Sequence, residues 1–159
     1  MSAHHHIVAV DTNILVWGIR LEGDEDKVKR AKWLFQDFDD SNAQVVIPSI
    51  ALAEYLVPYD SHVHSDVVGP LAKRFIIAPF DVKCASLGAR LFKEGLKRRK
   101  IGTPYDRKII KSDALVVATA YVHGARTFYS DDARCRKLAA QTNMTVKSLP
   151  TIAPDLFSQ

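Results

Sequence analysis

The sequence predicts an α/β fold, a three-layer α/β/α arrangement around a central, mainly parallel sheet. Five short apolar runs, starting near residues 7, 44, 75, 127 and 145, have the length and composition of strands. The stretches between them carry apolar residues at helical spacing. Strands that alternate with helices put helices on both faces of a parallel sheet. With 159 residues and 47% hydrophobic content, the chain matches the size and core of one domain, expected to span residues 1–159.

IVAV (7–10) reads as the first buried strand, and Asp11 follows it directly. A helix fits Asp24 to Phe38, with Val28, Ala31, Leu34 and Phe35 as its apolar stripe. QVVI (44–47) is the second strand, and Pro48-Ser49 opens the apolar helix IALAEYLV. Residues 58–73 show weak periodicity and carry the breakers Pro58, Gly69 and Pro70, so no element is expected there. FIIAPF (75–80) is the third strand. The helix after it has an apolar stripe at Cys84, Leu87, Gly88, Leu91 and Phe92, with Arg90, Lys93, Lys97 and Lys100 on the opposite face. Gly102 and Pro104 break the chain before a helix over about 106–123. TFY (127–129), a helix over 132–140 and TVKSL (145–149) complete the pattern.

Cys84 and Cys135 are the two cysteines, and no CxxC pair is present. That suits a reducing cytoplasm and makes a thiolate zinc site improbable. No apolar run approaches the roughly 18 residues of a membrane span, and MSAHHHIVAV lacks the basic flank and apolar core of a signal peptide. Net charge is +4, but it is unevenly spread. From Arg90 to Lys111 nine basic residues stand against Glu94 and Asp106, a local +7, while the remainder carries −3. Such a stretch serves either as a solvated helix face or as a surface for a polyanion, nucleic acid first.

In a parallel sheet, ligands bind beyond the carboxyl ends of the strands, so acids there carry the most information. Asp11 follows the first strand, Glu54 sits in the apolar SIALAEYLV, Asp113 interrupts the apolar helix IIKSDALVVATA, and Asp131-Asp132 follow the fourth strand. Taken singly, Asp11 and the Asp131-Asp132 pair suit helix caps and Glu54 suits a solvent face. Asp113 lies on a helix expected to be buried and needs a partner or a cation. Two carboxylates about 5 Å apart repel by about 3 kcal/mol at an effective dielectric near 20. Four converging carboxylates therefore take up protons or bind a hard cation such as Mg²⁺ or Mn²⁺.

VDTN (10–13), SIALAE (49–54), DALVVATA (113–120) and SDD (130–132), in this order across nearly the whole chain, resemble the PIN-domain nucleases. The nearest likeness is to the VapC-like toxin ribonucleases of toxin–antitoxin pairs. The resemblance implies a PIN-like fold and an endoribonuclease that cleaves single-stranded RNA with Mg²⁺ or Mn²⁺. Asp11, Glu54, Asp113 and an acid after the fourth strand would hold one or two ions. The register beginning at Ser130 assigns that last role to Asp132 and leaves Asp131 as a helix-start acid or outer contact. Thr12, Asn13, Ser49 and Ser130 would orient the carboxylates. Lys93, Lys97, Arg98, Arg99, Lys100, Arg107 and Lys108 would hold the RNA backbone or an acidic partner segment. A homodimer and a small antitoxin are further expectations from the resemblance. Arg134 stands where many relatives carry another acid. The alternative is a PIN protein of RNA processing, or a non-catalytic module that binds RNA or protein.

A rival metal motif, Asp60, His62, His64 and Asp66 in YDSHVHSD, is expected to be a solvated loop because no third distant ligand is evident. A haloacid-dehalogenase phosphatase needs D-x-D after the first strand, where Asn13 stands instead. A receiver domain needs its acidic pair there rather than after the fourth strand.

Overall fold

The computed structural model describes residues 6–98 and 107–152. Five strands, β1 Ile7–Val10, β2 Gln44–Pro48, β3 Ile76–Ala78, β4 Thr127–Tyr129 and β5 Thr145–Lys147, form one sheet. Their order is β3-β2-β1-β4-β5 and every pairing is parallel. The chain leaves β1 toward β2 and later returns to place β4 on the other side. The order thus reverses between β1 and β4, where open α/β sheets form their ligand crevice.

Among the described residues, seven α-helices cover the sheet: α1 Thr12–Leu15, α2 Glu25–Asp40, α3 Ser49–Leu56, α4 His64–Arg74, α5 Val82–Arg98, α6 Arg107–Val122 and α7 Ala133–Ala139. Alternating side chains along each strand supply two cores. Val8, Val10, Val45, Ile47 and Tyr129 pack with Ile14, Leu34, Phe35 and Phe38 on one face. Ala9, Val46, Ala78 and Phe128 pack with Leu91, Val117 and Leu138 on the other. α3 bridges them, with Ala51 in the second core and Leu52 and Tyr55 in the first. This is the three-layer α/β/α arrangement that the alternating pattern predicts.

α5 and α6 lie in close contact. A Cβ on Gly95 would stand 2.6 Å from Ile110 Cγ2, so the missing side chain is what lets the helices approach here. Arg107 lies over the Phe92 ring at 5.3 Å. These contacts bring the end of α5 beside the start of α6, and with it most of the described basic stretch.

Three expectations need correction. Residues 61–74 are helical, a short 3₁₀ turn at Ser61–Val63 running into α4 despite Gly69 and Pro70. Leu71 is buried, and Val67 and Val68 pack against the first core, so burial outweighs the missing proline N–H. The same segment is the one expected to be a solvated loop. The third and fifth strands end early, at Ala78 and Lys147. Beyond them the Pro79 carbonyl bonds with His123 Nε2, and the Leu149 and Pro150 carbonyls accept from Arg30, so these groups leave the ladder. The turn of helix α1 and its π-helical continuation Val16–Arg20 have no counterpart in the sequence periodicity.

Candidate active site

At the switch point between β1 and β4 the acids are organised around Ser130. This residue is fully buried. Its hydroxyl donates to Asp11 Oδ2 and accepts the Asp132 N–H at 3.1 Å. The Asp11 N–H continues the ladder to the Tyr129 carbonyl at 3.0 Å, and Asp11 Oδ1 caps α1 by accepting from Ile14 N–H at 3.1 Å. Both Asp11 oxygens are therefore held. Burial pushes its carboxyl up to about 6, against the Ser130 and Ile14 bonds that draw it down; the Asp132 and Asp131 charges add to the rise.

Glu54, on α3, is exposed but fixed on both sides. Thr12 Oγ1 donates to Oε2 at 2.9 Å, and Ser112 Oγ donates to Oε1. One carboxylate thus joins α1, α3 and α6. The helix that carries it is anchored by Arg20, which donates to the Tyr55 carbonyl at 2.9 Å and lies over the Tyr55 and Tyr59 rings.

Asp113 sits in the interior of α6, which runs without interruption from Arg107 to Val122. Its Oδ2 is buried and has no hydrogen-bond partner. Burial, then repulsion from Asp132, Asp11 and Glu54, raises this carboxyl to about 7, with Arg134 opposing. The four acids therefore share one electrostatic site although they come from four separate elements. Their oxygens stand apart: among the described residues, no three of these carboxylates have ligand atoms all within 4.8 Å of one another. Asp113 Oδ2 has no hydrogen-bond partner, and the Arg134 charge offsets the three neighbouring acids only in part. This hard-oxygen donor set fits a divalent cation that keeps several of its waters.

Asp132 and Asp131 have different surroundings. Asp132 caps α7, accepting from Arg134 N–H at 2.8 Å and Cys135 N–H at 3.4 Å, and its charge acts on both Asp11 and Asp113. The helix-start role expected of Asp131 thus belongs to Asp132, in addition to its place in the cluster. Asp131 instead pairs with Lys27 of α2, whose ammonium also lies 5.2 Å from the Trp17 ring centroid.

A family model for the PIN domain matches residues 8–141. The chain belongs to the PIN-domain family. Among curated proteins none matches in sequence. The fold is similar to that of a chain in the structure of VapBC2 from Rickettsia felis bound to a promoter DNA fragment. Identity is 20% and the TM-score 0.59, over 89% of this chain and 98% of that one. A chain of DNA-bound VapBC from Salmonella typhimurium gives 14% and 0.62, over 91% and 99%. A chain of FitAcB from Neisseria gonorrhoeae gives 18% and 0.56, over 88% and 96%.

Four polar residues, Thr12, Asn13, Ser49 and Ser130, are expected around the acids of this PIN domain. Thr12 and Ser130 bond to Glu54 and Asp11, as a carboxylate-orienting role requires. Asn13 is exposed, and no hydrogen bond among the described residues joins Asn13 or Ser49 to an acid; Asn13 turns away because one helical step moves a side chain by about 100°. Ser112 does the work expected of Ser49, and motif spacing did not mark it. Cys135 was also missed: it is buried beside the cluster, where burial and the Asp113 and Asp11 charges push its thiol up.

The basic residues lie on α5 and α6. Lys93, Lys97, Arg98, Arg107 and Lys108 are exposed. Lys97 pairs with Glu94 at 3.1 Å, and the Arg98 guanidinium meets the Gln141 carboxamide. Arg107 and Lys108 stand within two turns of Asp113 on the same helix. Arg99 and Lys100 lie outside the described residues. Arg134, in place of a further acid, sets its Nε 3.6 Å from Asp132 Oδ1. No described helix is long and apolar enough to cross a membrane.

Proposed function

We propose that this PIN domain is a metal-dependent endoribonuclease that hydrolyses phosphodiester bonds in single-stranded RNA. Asp11, Glu54, Asp113 and Asp132 would hold one or two Mg²⁺ or Mn²⁺ ions, with Asp131 outside that set because Lys27 engages it. The observation that carries the reading is the buried, unpartnered Oδ2 of Asp113 among three further carboxylates. A site that leaves a carboxylate oxygen buried and unpaired is costly unless a cation uses it.

When bound, the cation lowers the pKa of a coordinated water and offsets charge on the phosphate. The remaining work belongs to the chain. Ser130 holds Asp11, while Thr12 and Ser112 hold Glu54, so these carboxylates need little reorganisation on loading. Without a cation, burial and the neighbouring acids raise the Asp113 and Asp11 carboxyls to about 7 and 6, so loading releases the protons that they hold. Arg107, Lys108, Lys93, Lys97 and Arg98 lead a phosphate backbone toward the acid edge without reading its bases.

The likeness to the VapBC and FitAcB structures supports a toxin role with a small antitoxin as partner; a homodimer in the cytoplasm, with the whole chain acting as one domain, belongs to the same proposal. The test of activity is cleavage of a labelled single-stranded RNA. It should require Mg²⁺ or Mn²⁺ and stop with a chelator; chelator-resistant cleavage contradicts the reading. The test of the toxin role is growth arrest on expression, relieved by a short reading frame adjoining the gene.

A further inference from the structure

A second group of metal-ligating side chains lies away from the acid edge. Asp81, Cys84 and His123 place their ligand atoms within 4.8 Å of one another. Asp81 precedes α5, Cys84 lies in its first turn, and His123 follows the end of α6. His123 is ten residues beyond Asp113, about 15 Å along a helix, so the two groups do not share a centre.

The local geometry leaves donors to spare. Asp81 Oδ1 caps α5, accepting the Cys84 N–H at 3.0 Å. Its Oδ2 faces His123 Nε2 at 3.8 Å. The Pro79 carbonyl oxygen stands 2.8 Å from His123 Nε2 and 3.8 Å from Cys84 Sγ. Capping accounts for Oδ1 alone; it does not require a thiol and an imidazole beside the other oxygen. Zinc bonds of about 2.0–2.3 Å give ligand-to-ligand edges of about 3.3–3.8 Å. Closing this group onto an ion therefore shortens its widest separation by about 1–1.5 Å at most.

We propose that Asp81, Cys84 and His123 form a structural Zn²⁺ site, with the Pro79 carbonyl as the fourth, oxygen ligand. A thiolate and an imidazole select zinc over the hard ions suited to the acid edge, so the two sites take different metals. Cys84 is fully buried and His123 partly exposed, which puts the ion under the surface with a polar side open to solvent. Loading transfers the Cys84 thiol proton to solvent, and the neutral imidazole gives up the Pro79 carbonyl as its hydrogen-bond partner. The ion would tie the turn between β3 and α5 to the end of α6, clamping the helix pair whose opposite end carries Arg107 and Asp113.

Cobalt titration of the full chain tests this, because a thiolate-to-cobalt charge-transfer band needs a cysteine ligand. One equivalent of Co²⁺ should produce the band, and Zn²⁺ should displace it. The band should persist in Cys135→Ser and Asp113→Asn, which remove the other thiol and the acid edge. It should vanish in Cys84→Ser and in His123→Gln. Because Cys84 is buried, His123→Gln decides if Cys84→Ser fails to fold. Zn²⁺ should raise the unfolding temperature of the wild type and leave that of His123→Gln unchanged. A wild type with no thiolate band overturns the proposal. So does a band that survives His123→Gln or depends on Cys135.

Discussion

Ser130 donates its hydroxyl to Asp11 Oδ2 across the switch point of the sheet, and the same oxygen accepts the Asp132 N–H. One buried hydroxyl thereby sets the positions of acids that lie more than a hundred residues apart in the chain. The pairing exists because β1 and β4 are neighbours in parallel register, Val10 opposite Tyr129. Replacing Ser130 with Ala leaves Asp11 with one donor fewer in a buried place. Cleavage activity and metal affinity should fall about 10–100-fold, and stability by about 1–3 kcal/mol. Denaturant unfolding and a metal titration measure the two; unchanged values in both contradict the role.

Metal-free protein should become less stable as pH rises from about 4 to about 7. Burial raises the carboxyls of Asp11 to about 6 and Asp113 to about 7, from an ordinary value of 3.8. In that window the folded chain retains protons that the unfolded chain has released, so the slope of unfolding free energy with pH is negative. Denaturant unfolding at a series of pH values, with and without Asp113→Asn, isolates the effect. The variant should show a flatter profile, and an identical profile would show that Asp113 does not contribute. Adding Mn²⁺ should reverse the trend, since loading competes with protons.

Glu54 gives a separable test because it is exposed. Thr12→Val and Ser112→Ala each free one of its oxygens. Stability should change by less than about 1 kcal/mol, while metal affinity falls about tenfold for each variant. Thr12→Ser keeps the donor and should restore affinity. Loss of affinity that Thr12→Ser does not rescue would point to packing instead.

The basic surface should act through salt-dependent binding. Changing Lys93, Lys97, Arg98, Arg107 and Lys108 to Ala, singly and together, should weaken RNA binding. Each lost phosphate contact should flatten the salt slope by about 0.7 for a single strand. Cleavage at saturating RNA should stay near wild type. Unchanged slopes assign these residues to solvent or to a protein partner.

The strands were legible because each is a short apolar run flanked by breakers, and Asp113 because a charge in an apolar helix is conspicuous. α4 was hidden: Gly69 and Pro70 argued locally against a helix that Leu71 stabilises through distant packing. Ser112 was hidden for another reason. Its partner Glu54 is 58 residues away, and nothing in the sequence says that α3 and α6 meet at that point. The register beginning at Ser130 separates Asp131 from Asp132 in the sequence, but Lys27, 104 residues away, is what fixes Asp131. Motif spacing placed Thr12 and Asn13 alike, and only the helical phase of α1 distinguishes them.

The central claim is that Asp113 completes a cation site that performs the cleavage. The most direct measurement pairs Mn²⁺ binding with cleavage of single-stranded RNA for wild type and Asp113→Asn, after circular dichroism has shown both folded. Wild type should bind Mn²⁺ and cleave, and the variant should lose at least about 100-fold in cleavage together with most of its Mn²⁺ affinity. A folded Asp113→Asn protein that binds Mn²⁺ and cleaves RNA like the wild type would contradict the claim.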